Sequence, residues 1–162
     1  MFYRIKQFIW AITARLTEEE VQFIESHLSV IEQGLFWKLR VYEQKHSVRV
    51  AYALSKQSPQ HQVEEYIRLG LLHDVGKSKY PLNPIEKSII VLLDGITKGR
   101  IRYWSKLKIV KCYYQHGEMG YQMLQELGSY APLFLEAVKT HHQEELIDNS
   151  LQVALKACDD SC

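Results

Sequence analysis

The 162-residue sequence is poor in cysteine, with only Cys112, Cys158 and Cys162. So few thiols, in an odd number, exclude a secreted disulfide framework and point to a reducing, cytoplasmic setting. Four prolines and eight glycines, with no repeat, exclude a collagen-like or low-complexity chain. An excess of one charge is lacking too: 20 Lys and Arg stand against 19 Asp and Glu, a formal net charge of +1. That balance argues against a dedicated nucleic-acid surface, which calls for a basic domain. No long apolar run is present. From Met1 to Leu16 the residues Arg4, Lys6 and Arg15 interrupt the apolar ones, and the longest uncharged stretch there is Gln7 to Ala14. A signal peptide or a membrane span of about 20 residues needs more, so neither is expected.

What remains is an ordinary globular balance, 46% hydrophobic and 24% charged. A chain of this length forms one domain and buries about 70% of its surface. The apolar residues recur at helical spacing and no strand alternation competes, which predicts an all-α fold. Phe2, Ile5, Phe8, Ile9 and Ile12 share one face of an N-terminal helix, read as part of a helical extension, residues 1–34, packed on a main domain of residues 35–162. Thr17 and Glu20 form a capping box that opens a helix with Val21, Ile24 and Leu28 on one face. Further helices are expected over Leu35 to Lys56, Gln62 to His73, Ile85 to Leu93, Ile101 to Lys111, Gly117 to Leu127, Pro132 to His141 and Asn149 to Asp159. Gly76 is read as a helix terminator and Pro84 as a first-turn residue, with Asp94 to Arg102 as a connection. Trp37, Trp104 and the tyrosines are read as core and rim.

Of seven histidines, His27 and His61 read as surface or cap residues. The other five are His46, His73, His116, His141 and His142. Singly, each is an ordinary helix or loop histidine, with His116 placed in a loop. Together they form a pattern. His73-Asp74 follows the apolar run Leu69-Gly70-Leu71-Leu72, His141-His142 ends Leu133 to Val138, and Asp159 ends Val153 to Cys158. Burying such side chains costs several kcal/mol unless something satisfies them. Imidazole and carboxylate donors from facing helices satisfy a divalent transition metal, whether Fe, Mn, Zn, Ni or Co.

The stretch Leu71-Leu72-His73-Asp74-Val75-Gly76-Lys77, with His46 upstream and Asp159 downstream, resembles the HD-domain metal-dependent phosphohydrolases over roughly residues 35 to 160. The resemblance implies a helical bundle in which His46, His73, Asp74 and Asp159 hold a metal, with Asp160 as the alternative last ligand. His116-Gly117-Glu118-Met119-Gly120 and Thr140-His141-His142-Gln143 resemble the runs by which two-metal members, the HD-GYP subgroup among them, hold a second ion through His116, His141 and His142. Asp74 would then bridge the two ions. Gly117 and Gln143 depart from the usual proline and glutamate, and no Gly-Tyr-Pro follows His142. The cyclic-di-GMP specificity of that subgroup is therefore not carried over.

The chemistry so implied is hydrolysis of a small phosphorylated substrate, such as a nucleotide, by water activated between two ions, with Asp74 and Lys77 as catalytic residues. Lys77 is placed to touch the phosphate. Arg49, one turn after His46, would meet phosphate or pair with a carboxylate such as Asp74. Glu118 reads as surface. The substrate loops would be Ser78 to Pro84 and Gln143 to Asn149. Two other readings share the fold: a dinuclear iron oxygenase, and a non-catalytic metal-stabilised sensing or interaction module.

Overall fold

The structure, a computed structural model, describes residues 9, 12–143 and 149–162. Of the expected N-terminal amphipathic face, Phe2, Ile5 and Phe8 lie outside the described residues, as does most of the loop from Gln143 to Asn149. Ile9 and Ile12 are described and exposed. No β-strand occurs among the described residues, and the fold is all-α.

Capping chemistry sets several helix starts. α1 (Glu18–His27) opens on the expected box: Glu20 N–H donates to Thr17 Oγ1 and Thr17 N–H to the Glu20 carboxylate. α2 (Val30–Phe36) repeats it with Ser29 and Glu32. α5 (Pro84–Thr97) does so with Asn83 and Glu86, and has Pro84 in its first turn. Each box satisfies two amide donors that a helix start would leave unpaired.

Between these lie α3 (Val41–Gln57) and α4 (Val63–Leu72), then a 3₁₀ turn over Val75–Lys79. After α5 come a 3₁₀ turn over Arg100–Tyr103, α6 (Lys108–Gln125), α7 (Pro132–Thr140) and α8 (Ser150–Ser161). Ile24 of α1 and Leu28 just after it join Phe36, Val48, Ala51, Leu54, Leu69, Leu72, Val138 and Leu155 in one buried core. A smaller core of Leu82, Ile90, Ile101, Val110 and Cys112 sits under α5.

The structure corrects several expectations. The helix expected from Leu35 to Lys56 is broken between Phe36 and Val41; α2 starts earlier on its own cap, and Gln44 Nε2 donates to the carbonyls of Trp37 and Leu39 that the break exposes. α5 runs through Thr97 and stops at Lys98 and Gly99, both left-handed. The segment after it does not form the expected helix from Ile101; α6 begins only at Lys108 and continues unbroken through His116, Gly117 and Gly120. Tertiary packing here overrides the low helix propensity of glycine. Finally, Tyr103 and Trp104 are not core; both are exposed.

Two glycines set how closely the segments around Asp74 pack. A Cβ on Gly76 would lie 1.9 Å from the His116 carbonyl oxygen and 2.5 Å from the Gly120 amide nitrogen. A Cβ on Gly117 would lie 2.6 Å from the Lys139 carbonyl oxygen. The turn after Asp74 therefore seats directly on the backbone of α6, and α6 on that of α7. Gly76 serves this close approach and does not end the helix as expected, since α4 stops at Leu72 and Gly76 lies within the 3₁₀ turn.

Candidate metal centre

The two close approaches bring the ends of α4, α7 and α8 and the middles of α3 and α6 to one place. His46 comes from α3, His73 and Asp74 from the end of α4, His116 from α6, His141 and His142 from the end of α7, and Asp159 from α8. Two donor groups result: His46, His73 and Asp159, and Asp74, His116, His141 and His142. Within each group one ligand atom from every residue lies within 4.8 Å of the others.

Hydrogen bonds orient three of the rings. The Nδ1–H of His73 donates to the Gly70 carbonyl at 2.8 Å, that of His116 to Cys112 at 2.8 Å, and that of His141 to Val138 at 2.7 Å. A carbonyl can only accept, so each ring carries its proton on Nδ1 and aims Nε2 inward. Those three Nε2 atoms and Asp74 Oδ1 are buried without a hydrogen-bond partner. Their spacing accounts for this. His116 Nε2 and His141 Nε2 lie 3.5 and 3.6 Å from Asp74 Oδ1, and His73 Nε2 lies 3.4 Å from Asp74 Oδ2 and 3.6 Å from Asp159 Oδ1. These gaps are long for hydrogen bonds. They match the roughly 3.4 Å between two ligands that each stand about 2.1 Å from a tetrahedral ion. Asp74 presents one oxygen to each group. A divalent metal fits these donors.

Charge points the same way. Burial works against a charged His73 ring, but the carboxylates of Asp74 and Asp159 outweigh it and raise its pKa to about 10, so without an ion Nε2 also holds a proton, which a bound metal would displace. Burial and the Lys77 ammonium push His116 well below its usual range, leaving a neutral ring able to ligate. Burial would raise the Asp159 carboxyl, but the hydrogen bond from His46 and the nearby His73 ring hold it well below its usual range. The site gathers negative charge that calls for a cation.

Asp159, not Asp160, joins the cluster. The Asp159 side chain is 9% exposed and accepts a hydrogen bond from His46 Nε2 at 2.7 Å; Asp160 is 65% exposed and pairs with Lys156 at the helix surface. Arg49 lines the same cleft from α3 with an exposed side chain. Glu118 pairs with Lys139 at 3.2 Å on the surface.

Lys77 is not a freely projecting cation. Its ammonium donates to Asp74 Oδ2 at 2.5 Å and to Glu43 Oε2 at 3.3 Å. Burial opposes its charge, but the two carboxylates raise its pKa, so it stays protonated. Glu43 escaped the sequence reading. It is buried on α3 and also accepts from Lys87 at 3.2 Å; burial would raise its pKa, but Lys77 and Lys87 hold it at about 2. Its signal was present in its place three residues before His46, on the same helix face. Neither Cys112 nor Cys158 offers a nucleophile, since burial raises both thiols, Cys112 to about 11.

The cluster opens into a cleft of about 1730 Å³ that also takes in Tyr42, Lys87, Leu92, Ile96 and Tyr113. No helix among the described residues is long and apolar enough to cross a membrane. Of known families, the HD domain matches this chain over residues 44–160. No curated protein and no solved structure matches it.

Proposed function

The chain belongs to the HD domain family, and from that premise we propose a metal-dependent phosphohydrolase of phosphodiesterase or nucleotidase type, with two divalent ions held side by side. The observation that carries this reading is the set of four buried, unpartnered atoms: Nε2 of His73, His116 and His141, and Oδ1 of Asp74. His46, His73 and Asp159 would hold one ion and His116, His141 and His142 the other, with Asp74 between them. Ions bound there supply Lewis acidity toward a phosphoryl oxygen and toward water.

The remaining work falls to the chain itself. The backbone carbonyls of Gly70, Cys112 and Val138 fix the tautomers of the three rings. Lys77 steadies Asp74 and adds positive charge beside the place where phosphoryl charge develops. Glu43 anchors Lys77 from behind. Arg49 and Lys87 line the cleft where a phosphorylated substrate, such as a nucleotide, would enter. With the buried thiols protonated, water is the nucleophile.

Elemental analysis of the purified protein and of Asp74→Ala, followed by a phosphodiester and nucleotide screen with Fe, Mn, Zn, Ni and Co, tests this. Metal at about two ions per chain, lost in the variant, with hydrolysis lost alongside it, is the expected result. Absence of metal after reconstitution overturns the reading. Iron with an air-dependent absorption change and no hydrolysis favours the oxygenase reading, since imidazole and carboxylate suit iron equally well. Bound metal with no turnover of either kind leaves a sensing or interaction module.

A further inference from the structure

Outside the metal centre, the most unusual surface begins on α5. Ile85, Ile89, Leu92 and Ile96 repeat at intervals of four, three and four residues, and each is between 47% and 69% exposed. These intervals place them on one helix face, opposite the buried Ile90. The chain then runs through residues 98–111, where Lys98, Arg100, Arg102, Lys106, Lys108 and Lys111 occur without one Asp or Glu. Every residue of 102–108 is exposed, including Tyr103 at 78%, Trp104 at 66% and Leu107. The chain as a whole carries only +1, so this is a local concentration of positive charge. Asp94, the nearest preceding acid, accepts hydrogen bonds from Tyr113 and Tyr114. Ile96, Lys98 and Arg100 line one shallow depression, so the apolar stripe and the basic segment adjoin.

We propose that this face docks on an anionic lipid bilayer. The three parts match what an interfacial surface needs: aliphatic side chains to enter the acyl boundary, a tryptophan and a tyrosine for the headgroup level, and cations for anionic lipids. A second copy of the chain is the weaker occupant. A two-fold contact sets the same patch against itself, and the six cations would face one another. A nucleic acid would use the cations and could stack on Tyr103 and Trp104, but it would leave the four aliphatics of α5 in water. Leu92 and Ile96 also line the cleft, so docking sets the cleft mouth beside the membrane. The inference does not rest on the phosphohydrolase reading.

The test is cosedimentation of the full chain with vesicles of phosphatidylcholine alone and of phosphatidylcholine mixed with phosphatidylglycerol, with no substrate present. Binding to the anionic vesicles only, weakened by added salt, is the expected result. Each cation near an anionic leaflet is worth about a fivefold gain in partitioning, so the triple variant Arg100→Gln/Lys106→Gln/Lys108→Gln should bind about 100-fold more weakly. All three residues are exposed, and an unchanged circular dichroism spectrum would exclude misfolding. In a Trp10→Phe/Trp37→Phe background the emission of Trp104 should shift to the blue with anionic vesicles. No preference for anionic lipid, unchanged binding of the triple variant, or a Trp104 emission that does not move would each overturn the proposal. So would a concentration-dependent dimer that Leu92→Lys abolishes, or single-stranded RNA bound more tightly than the vesicles.

Discussion

Glu43→Gln is the most informative single change, because Glu43 supports the site without belonging to either donor group. The carboxylate is buried and accepts from two ammonium groups, Lys77 at 3.3 Å and Lys87 at 3.2 Å. Removing one member of a buried ion pair costs about 3–5 kcal/mol when the other is stranded. Here the cost falls at the low end. Lys77 keeps Asp74 as partner, and Lys87, 43% exposed, regains water. Linkage gives a similar size: a pKa held at about 2 in place of 4.5 corresponds to about 3 kcal/mol. For a chain of this length that is a fall in Tm of roughly 6–12 °C. The sign with pH comes from the lowered pKa. The stabilisation is fully present above 4.5 and is lost as pH falls toward about 2, so the gap between wild type and variant should be widest at neutral pH and close on acidification. Thermal unfolding of metal-free protein, followed by circular dichroism from neutral to acid pH, measures this. Metal content should not change. A neutral-pH gap too small to measure, a gap that widens in acid, or loss of metal from the variant would refute the reasoning.

Three further outcomes are expected. Gly76→Ala should destabilise by about 3 kcal/mol, because its Cβ meets backbone atoms of His116 and Gly120 that no rotamer change can move; Gly34→Ala, where nothing lies within 4 Å, should be neutral or stabilising by up to about 1 kcal/mol in chemical denaturation. Asp159→Asn should reduce bound metal in elemental analysis while Asp160→Asn leaves it unchanged, since only Asp159 faces the histidines; equal effects would contradict the ligand choice. Glu32 accepts from Ser29, Tyr130 and Arg68, which hold its carboxyl below 4.5 against burial. Its stabilisation is present above 4.5 and is lost as pH falls below that value, so Glu32→Gln should lower Tm at neutral pH and flatten the acid limb of the Tm profile.

Local signals in the sequence were enough for several of the helices and for five of the donors. Helical spacing of apolar residues and the Thr17–Glu20 box act through contacts within a few residues, so α1, α4, α7 and α8 were legible almost to their ends. His73, Asp74, His141, His142 and Asp159 were legible because imidazole or carboxylate ending an apolar run is costly without a partner, whereas His46 and His116 were singled out only by the family resemblance. Three-dimensional packing decided the rest. That α6 runs unbroken through His116-Gly117 depends on the backbones of the Val75–Lys79 turn and α7 pressing on it, contacts made by residues some 20 to 40 positions away. Asp159 and Asp160 are neighbours of the same chemistry; only the rotation of α8 against the bundle turns one inward and the other to solvent. Glu43 reads as an ordinary helix carboxylate until Lys77 and Lys87, from two other elements, close on it. Exposure of Tyr103, Trp104 and the stripe from Ile85 to Ile96 was equally invisible, because an apolar residue records its preference to be buried and not whether any partner remains to bury it.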